Sequence, residues 1–163
     1  MSDYTPEHLT FSSLADYAAA IDKLCKMAEH NLYLFEKDFD RLEFNSEGRS
    51  NTLRSFLLSS PVHKLHLLAH DTSYLSTKCP RMMNLLHQFS GNMFIYQTPK
   101  NLQHITAPFS VADDEHLVRR FHFDDARGTL AIQDSANAHV YKARFMEMWA
   151  SSHPAPSSTR LGL

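Results

Sequence analysis

The chain has 163 residues, 43% of them hydrophobic and 21% charged, with a formal net charge of −2. That length suits one domain with a single core that needs no disulfide or metal staple. The near-neutral balance excludes attraction of nucleic acid over the whole surface, while leaving room for a local basic patch. No apolar run approaches the ~20 residues that cross a bilayer, and the opening MSDYTPEH lacks the basic-then-apolar order of a signal peptide, so a cytoplasmic location and no membrane partner are expected.

Residues 1–11, with Pro6 among mixed polar side chains, read as a loose arm. From Ser12, the segment SSLADYAAAIDKLCKMAEH spaces Leu14, Tyr17, Ala18, Ile21, Leu24, Cys25 and Ala28 by threes and fours, which predicts an amphipathic helix with a serine N-cap. NLYLFEKDF is a buried strand that opens onto charge at Glu36, Lys37 and Asp38. After the turn-rich FNSEGRS, NTLRSFLLSS predicts a helix ending at Pro61, and VHKLHLLAHD a second strand closing on His70 and Asp71. A third helix is expected from about Pro80 to a C-cap at Gly91, followed by the strand MFIYQ.

Helices and strands alternating in this order imply parallel neighbours joined by right-handed crossovers, and with the later hairpin a mixed, largely parallel sheet flanked by helices. TPKNLQHITAP reads as a loop, FSVADDEHLVRRFHF and GTLAIQD as two or three strands around the turn-like DDARG, and SANAHVYKARFMEMWASSH as a closing helix. On that helix Ala138, Tyr141, Phe145, Met148 and Trp149 make an apolar stripe for the core. One α/β domain is expected over residues 12–151, followed by a disordered Pro/Ser-rich tail at 152–163.

Cys25 and Cys79 are far apart without CxxC spacing and read as reduced thiols. Of the 11 histidines, His63, His66 and His70 come nearest to a metal set. On a strand, however, His66 and His70 stand about 13 Å apart, so no metal and no cofactor are expected.

The alternation, the hairpin and the FMEMW helix resemble one half of a phospholipase D-like fold. Active members of that superfamily carry HxKxxxxD and, a short strand later, a GSxN-like turn into the last helix. Laying Asp134-Ser135-Ala136-Asn137 on GSxN puts Arg120 at the histidine position, His122 at the lysine position and Arg127 at the acid position. The resemblance implies an imidazole that attacks a phosphodiester while an acid holds it and a lysine stabilises the phosphorane. Arg120 cannot attack, because a guanidinium stays protonated, so the motif is degenerate.

His122 is the remaining catalytic candidate, with Asp124 and Asp125 near enough to orient it. Active sites of this kind are built from two motifs, so a lone half implies a homodimer. The chain also resembles a proteobacterial domain family of this fold, found alone or attached to acetyltransferase-like domains, which implies an acetyltransferase-like partner.

Arg119, Arg120 and His122, with Ser135 and Asn137, are expected to form a donor cluster suited to a phosphate-containing ligand. The alternative is that Arg120 and His122 share a strand face and pair with Asp113, Asp114 or Asp124. Asp38, Asp40, His70 and Asp71 lie where strands end, a common place for ligands. Arg41, Arg49, Arg54, Lys64, Lys78 and Arg81 are scattered among acids, so nucleic acid is not an expected partner. The combined expectation is a non-catalytic binding or protein-interaction module, with a His122 hydrolase and an accessory domain as alternatives.

Overall fold

The computed structural model describes residues 7–155. The chain runs β1 (Glu7–Phe11), α1 (Leu14–Met27), β2 (Asn31–Glu36), α2 (Glu47–Leu58), β3 (Lys64–Ala69), α3 (Ser73–Lys78), α4 (Pro80–Gln88) and β4 (Met93–Gln97). It continues through β5 (Phe109–Ala112), β6 (His116–His122), β7 (Asp125–Ile132), α5 (Ser135–Ser151) and β8 (His153–Pro154). All the strands join one sheet in the order β1-β7-β6-β5-β2-β3-β4-β8.

The sheet is mixed, as the sequence implies, but it is parallel only across β2, β3 and β4. The remaining pairings are antiparallel, and within them β5, β6 and β7 follow one another through short turns instead of helical crossovers.

Helices cover both faces of the sheet, so the central strands are buried on each side and read as unbroken apolar runs. Along β2, Leu32 and Leu34 enter the core with Tyr17, Ile21, Leu53 and Met82 from α1, α2 and α4. Tyr33 and Phe35, on the opposite face, pack with Phe109 and with Ala138, Phe145 and Met148 of α5. Ser13 caps α1 by accepting from the Asp16 N–H, the expected serine cap. Pro80 stands in the first turn of α4 as expected, but the helix is over by Phe89, before the predicted Gly91 cap.

Four expectations need correcting. Residues 7–11 of the supposed loose arm are strand β1, paired with β7 from Glu7↔Ile132 to Phe11↔Gly128. α2 begins within FNSEGRS, where Ser46 accepts from the Arg49 N–H and starts the helix at Glu47. α3 is an additional short helix, and His153–Pro154 of the supposed tail pair with β4. The expected arm at 1–6 and tail at 156–163 lie outside the described residues. Among the described residues, no helix is long and apolar enough to cross a membrane.

His66 shows how fully β3 is enclosed. Its ring stacks on Tyr33 at 4.7 Å and meets Trp149 edge-on at 5.2 Å, while Nδ1–H donates to the Leu32 carbonyl at 3.0 Å. Burial pulls its pKa below the ordinary 6.5. Between that lowered value and 6.5, the unfolded chain binds more protons than the folded one, so stability falls as pH falls. Each such histidine contributes at most about 1.4 kcal/mol per pH unit. Thermal unfolding followed from pH 7.5 to about 5.5 should show a falling midpoint, and His66→Asn, which keeps a donor near Nδ1 but does not titrate, should flatten the curve. An equally steep decline in the variant would assign the effect to other groups.

Candidate functional site

The β6–β7 hairpin turns at Phe123-Asp124, and β7 already begins at Asp125, so DDARG is mostly strand and the turn is tighter than its sequence suggests. Arg120 pairs with Gly128 on the neighbouring strand, whereas Asp134 lies six residues farther along, about 20 Å away at 3.3 Å per residue. Arg120 and His122 therefore sit at the closed end of the hairpin and Ser135 and Asn137 at its open end. The expected single donor cluster is not formed.

At the closed end, the alternation of β6 turns Arg120 toward α1 and into the core, where it is only 3% exposed. Nη2 lies 3.2 and 3.4 Å from the two oxygens of Glu36, and Nη1 donates to the carbonyls of Phe123 at 3.1 Å and Asp125 at 3.0 Å. The guanidinium carbon stands 4.4 Å from the Tyr17 ring centroid, and the Tyr17 hydroxyl donates to Glu36. Burial pushes the Glu36 carboxyl upward in pKa, while Arg120 and Tyr17 oppose that shift.

The partner of Arg120 is thus Glu36, not Asp113, Asp114 or Asp124. Asp113 instead accepts the backbone N–H groups of Glu29, His30 and Asn31 at 2.8–2.9 Å, and Asp114 lies 3.5 Å from both His139 and Lys142. A register irregularity between Arg120 and His122 removes the shared face that simple alternation predicts, leaving His122 half exposed. Its Nδ1 accepts from the Asp124 N–H at 3.0 Å. Arg127 is held by Asp125, whose pKa its guanidinium lowers to about 2.

The other strand-end candidates are also engaged. His70 donates from Nε2 to the Ile105 carbonyl at 2.7 Å, which leaves Nδ1 to accept from the Thr98 hydroxyl at 2.6 Å. The ring thereby ties the 98–105 connection to the end of β3. Asp71 accepts the Ser73 N–H and hydroxyl at the start of α3. Asp38 accepts the Asp40 N–H, and burial raises its pKa. Of the predicted set, Asp38 and Arg120 do line one polar cleft, shared with Glu36, Asp40 and Asp124, but its volume of about 60 Å³ holds little more than water.

The open end contains a histidine that motif spacing missed. His116, the first residue of β6, is buried, and its Nδ1 accepts the Gln133 N–H at 3.0 Å, immediately before Asp134. Asp134 caps α5 and accepts from the Asn137 amide and from His8 Nε2, both at 2.8 Å. The Asn137 amide, then His8, hold its carboxyl below the usual range. Ser135 and Asn137 are exposed beside it. Counting back from Asn137 at the superfamily's spacing lands on Arg120, but the ladder puts His116, four residues earlier in the chain, across from the turn. The fully buried Val118 then stands two residues on, where an HxK motif has lysine.

This architecture has clear structural relatives. TrmBL2, described as an archaeal chromatin protein with a novel mode of DNA binding, matches with a TM-score of 0.68 at 12% identity over 95% of this chain. This chain spans 57% of the length of TrmBL2. Nuc from Salmonella typhimurium, a phospholipase D family member, matches with a TM-score of 0.65 at 10% identity, over 94% of this chain and 100% of its own. NucT from Helicobacter pylori gives 0.65 at 11% identity, over 93% and 100%. No curated protein matches the sequence. The fold is phospholipase D-like, and the family match spans residues 13–161, so the chain belongs to the family described as Domain of unknown function (DUF7931).

Proposed function

We propose that the chain is a non-catalytic binding module on a phospholipase D-like fold. The observation that carries this reading is the state of the two hairpin histidines. His116 and His122 each accept a backbone N–H at Nδ1, from Gln133 and Asp124, so each neutral ring carries its proton on Nε2. Neither neutral imidazole then offers a free lone pair for attack on phosphorus. A nucleophilic histidine needs the opposite arrangement, with an acid accepting from one nitrogen while the other stays free. Val118 adds support, since a buried valine supplies no charge to a phosphorane.

The binding face in this reading is the open end of the hairpin, where the exposed Ser135 hydroxyl and the second N–H of the Asn137 amide stand beside Asp134, itself held by His8, and offer donors to an anion or to a protein partner. A second copy of the chain is one such partner. A hydrolase reading is still worth testing through His116, because that histidine stands beside the GSxN-like turn.

Turnover of bis(p-nitrophenyl) phosphate and of single-stranded DNA by the wild type should be no greater than that of His116→Ala and His122→Ala, measured alongside sedimentation velocity to record the oligomeric state. Turnover that disappears in either single variant, with the fold intact, would defeat the non-catalytic reading.

A further inference from the structure

The β6 face opposite Arg120 carries a different pattern. Leu117 is buried beneath α5, Arg119 emerges beside Tyr141, and Phe121 projects beyond the helix with half its surface exposed. The Arg119 guanidinium lies 5.9 Å from both the Phe121 and the Tyr141 ring centroids. Arg127 lies 5.7 Å from Phe121 on the hairpin side, and Arg144 lies 4.8 Å from Tyr141 on the helix side. The result is a continuous surface stripe in the order Arg127, Phe121, Arg119, Tyr141, Arg144, with cations and aromatic rings alternating.

The charges along the stripe are not equivalent. Arg127 is neutralised by Asp125 at 2.8 Å, whereas Arg119 and Arg144 make no ion pair among the described residues. Structure alone does not require such an arrangement. Phe121 stays half exposed between the paired Arg127 and the unpaired Arg119, and neither Arg119 nor Arg144 satisfies a carboxylate.

We infer that this stripe binds single-stranded nucleic acid, with Arg119 and Arg144 on phosphates and Phe121 and Tyr141 stacking bases. Charge complementarity selects a polyanion, and the rings between the cations select one whose repeating units include a planar aromatic group. Duplex DNA keeps its bases stacked on one another and cannot offer them to the rings. The stripe lies at the closed end of the hairpin, away from the open-end face proposed above, so the two readings stand or fall separately. It is compatible with a net charge of −2 because its charge is local.

The test is fluorescence anisotropy of a labelled oligothymidylate titrated with the full chain, compared with duplex DNA, heparin and anionic phosphatidylserine vesicles. Binding to the oligothymidylate should be tighter than to duplex, and two phosphate contacts should weaken it about sevenfold between roughly 50 and 200 mM salt. Phe121→Ala, which leaves the charge unchanged, should weaken it roughly tenfold, while Phe121→Trp should retain it. Arg119→Ala/Arg144→Ala should remove most of the salt dependence. Lys78→Ala, which removes an exposed cation outside the stripe, should bind like wild type.

No binding at low salt would overturn the proposal. Equal affinity for heparin with no effect of Phe121→Ala would also overturn it, by reducing the stripe to a nonspecific cation patch. Binding to vesicles but not to oligothymidylate would assign the surface to lipid instead. Circular dichroism of each variant guards against reading unfolding as lost binding.

Discussion

Arg120→Ala lowers the unfolding free energy by about 3–5 kcal/mol, seen as a large drop in the urea midpoint with little change in slope. The size follows from what the substitution strands. Glu36, 5% exposed, keeps its charge or takes up a proton without a guanidinium beside it, and the Phe123 and Asp125 carbonyls lose their donor at the hairpin turn. Arg120→Lys should recover only part of the loss, because one ammonium cannot span the carboxylate and both carbonyls as the planar fork does.

The informative variant is the double Glu36→Gln/Arg120→Met. Removing both charges relieves the stranded carboxylate, so the double should be less destabilised than the sum of its singles. A loss below about 1 kcal/mol for Arg120→Ala would instead mean that the guanidinium is hydrated and free, and would return Arg120 to the list of ligand-binding groups.

The same arginine shows where sequence reading succeeds and where it stops. β2 and β3 were legible because burial on both faces writes itself as an unbroken apolar run. The serine cap of α1 was legible because capping is local to three or four residues. Glu36 looked like the polar mouth of a strand, and nothing nearby in sequence announces that its partner lies 84 residues away. β1 was missed because a short exposed edge strand needs no apolar run, and its pairing with β7 joins opposite ends of the chain.

The site suffered most from the difference between distance along the chain and distance across a ladder. Motif spacing placed Arg120 opposite the Asp134–Asn137 turn, but hydrogen-bond register placed His116 there. The alternation rule correctly gave β6 two unlike faces, and the irregularity after Arg120 defeated its extension to His122. The cation–aromatic stripe was invisible for a related reason: Arg119, Arg127 and Arg144 are spread over 26 positions and converge only when the hairpin packs beside α5.

Gly128→Ala should be comparably damaging, for a reason that has nothing to do with glycine's conformational freedom. Gly128 sits mid-strand in β7, between Phe11 of β1 and Arg120 of β6. A Cβ there would fall well inside contact distance of the Arg119 carbonyl oxygen and 2.8 Å from the Phe11 ring. Phe11 can rotate away, but the carbonyl is fixed in the ladder, so β6 and β7 must separate locally.

Overpacking of this kind costs about 3 kcal/mol or more when backbone has to yield, and here the yielding strand also carries Arg120. Thr129→Ala, one residue along and directly opposite Arg119, creates no such conflict and should cost under about 1 kcal/mol. Adding Phe11→Ala to Gly128→Ala should restore little, because the carbonyl conflict remains. Substantial recovery in that double variant would show that the aromatic ring, not the backbone of β6, sets the limit at Gly128.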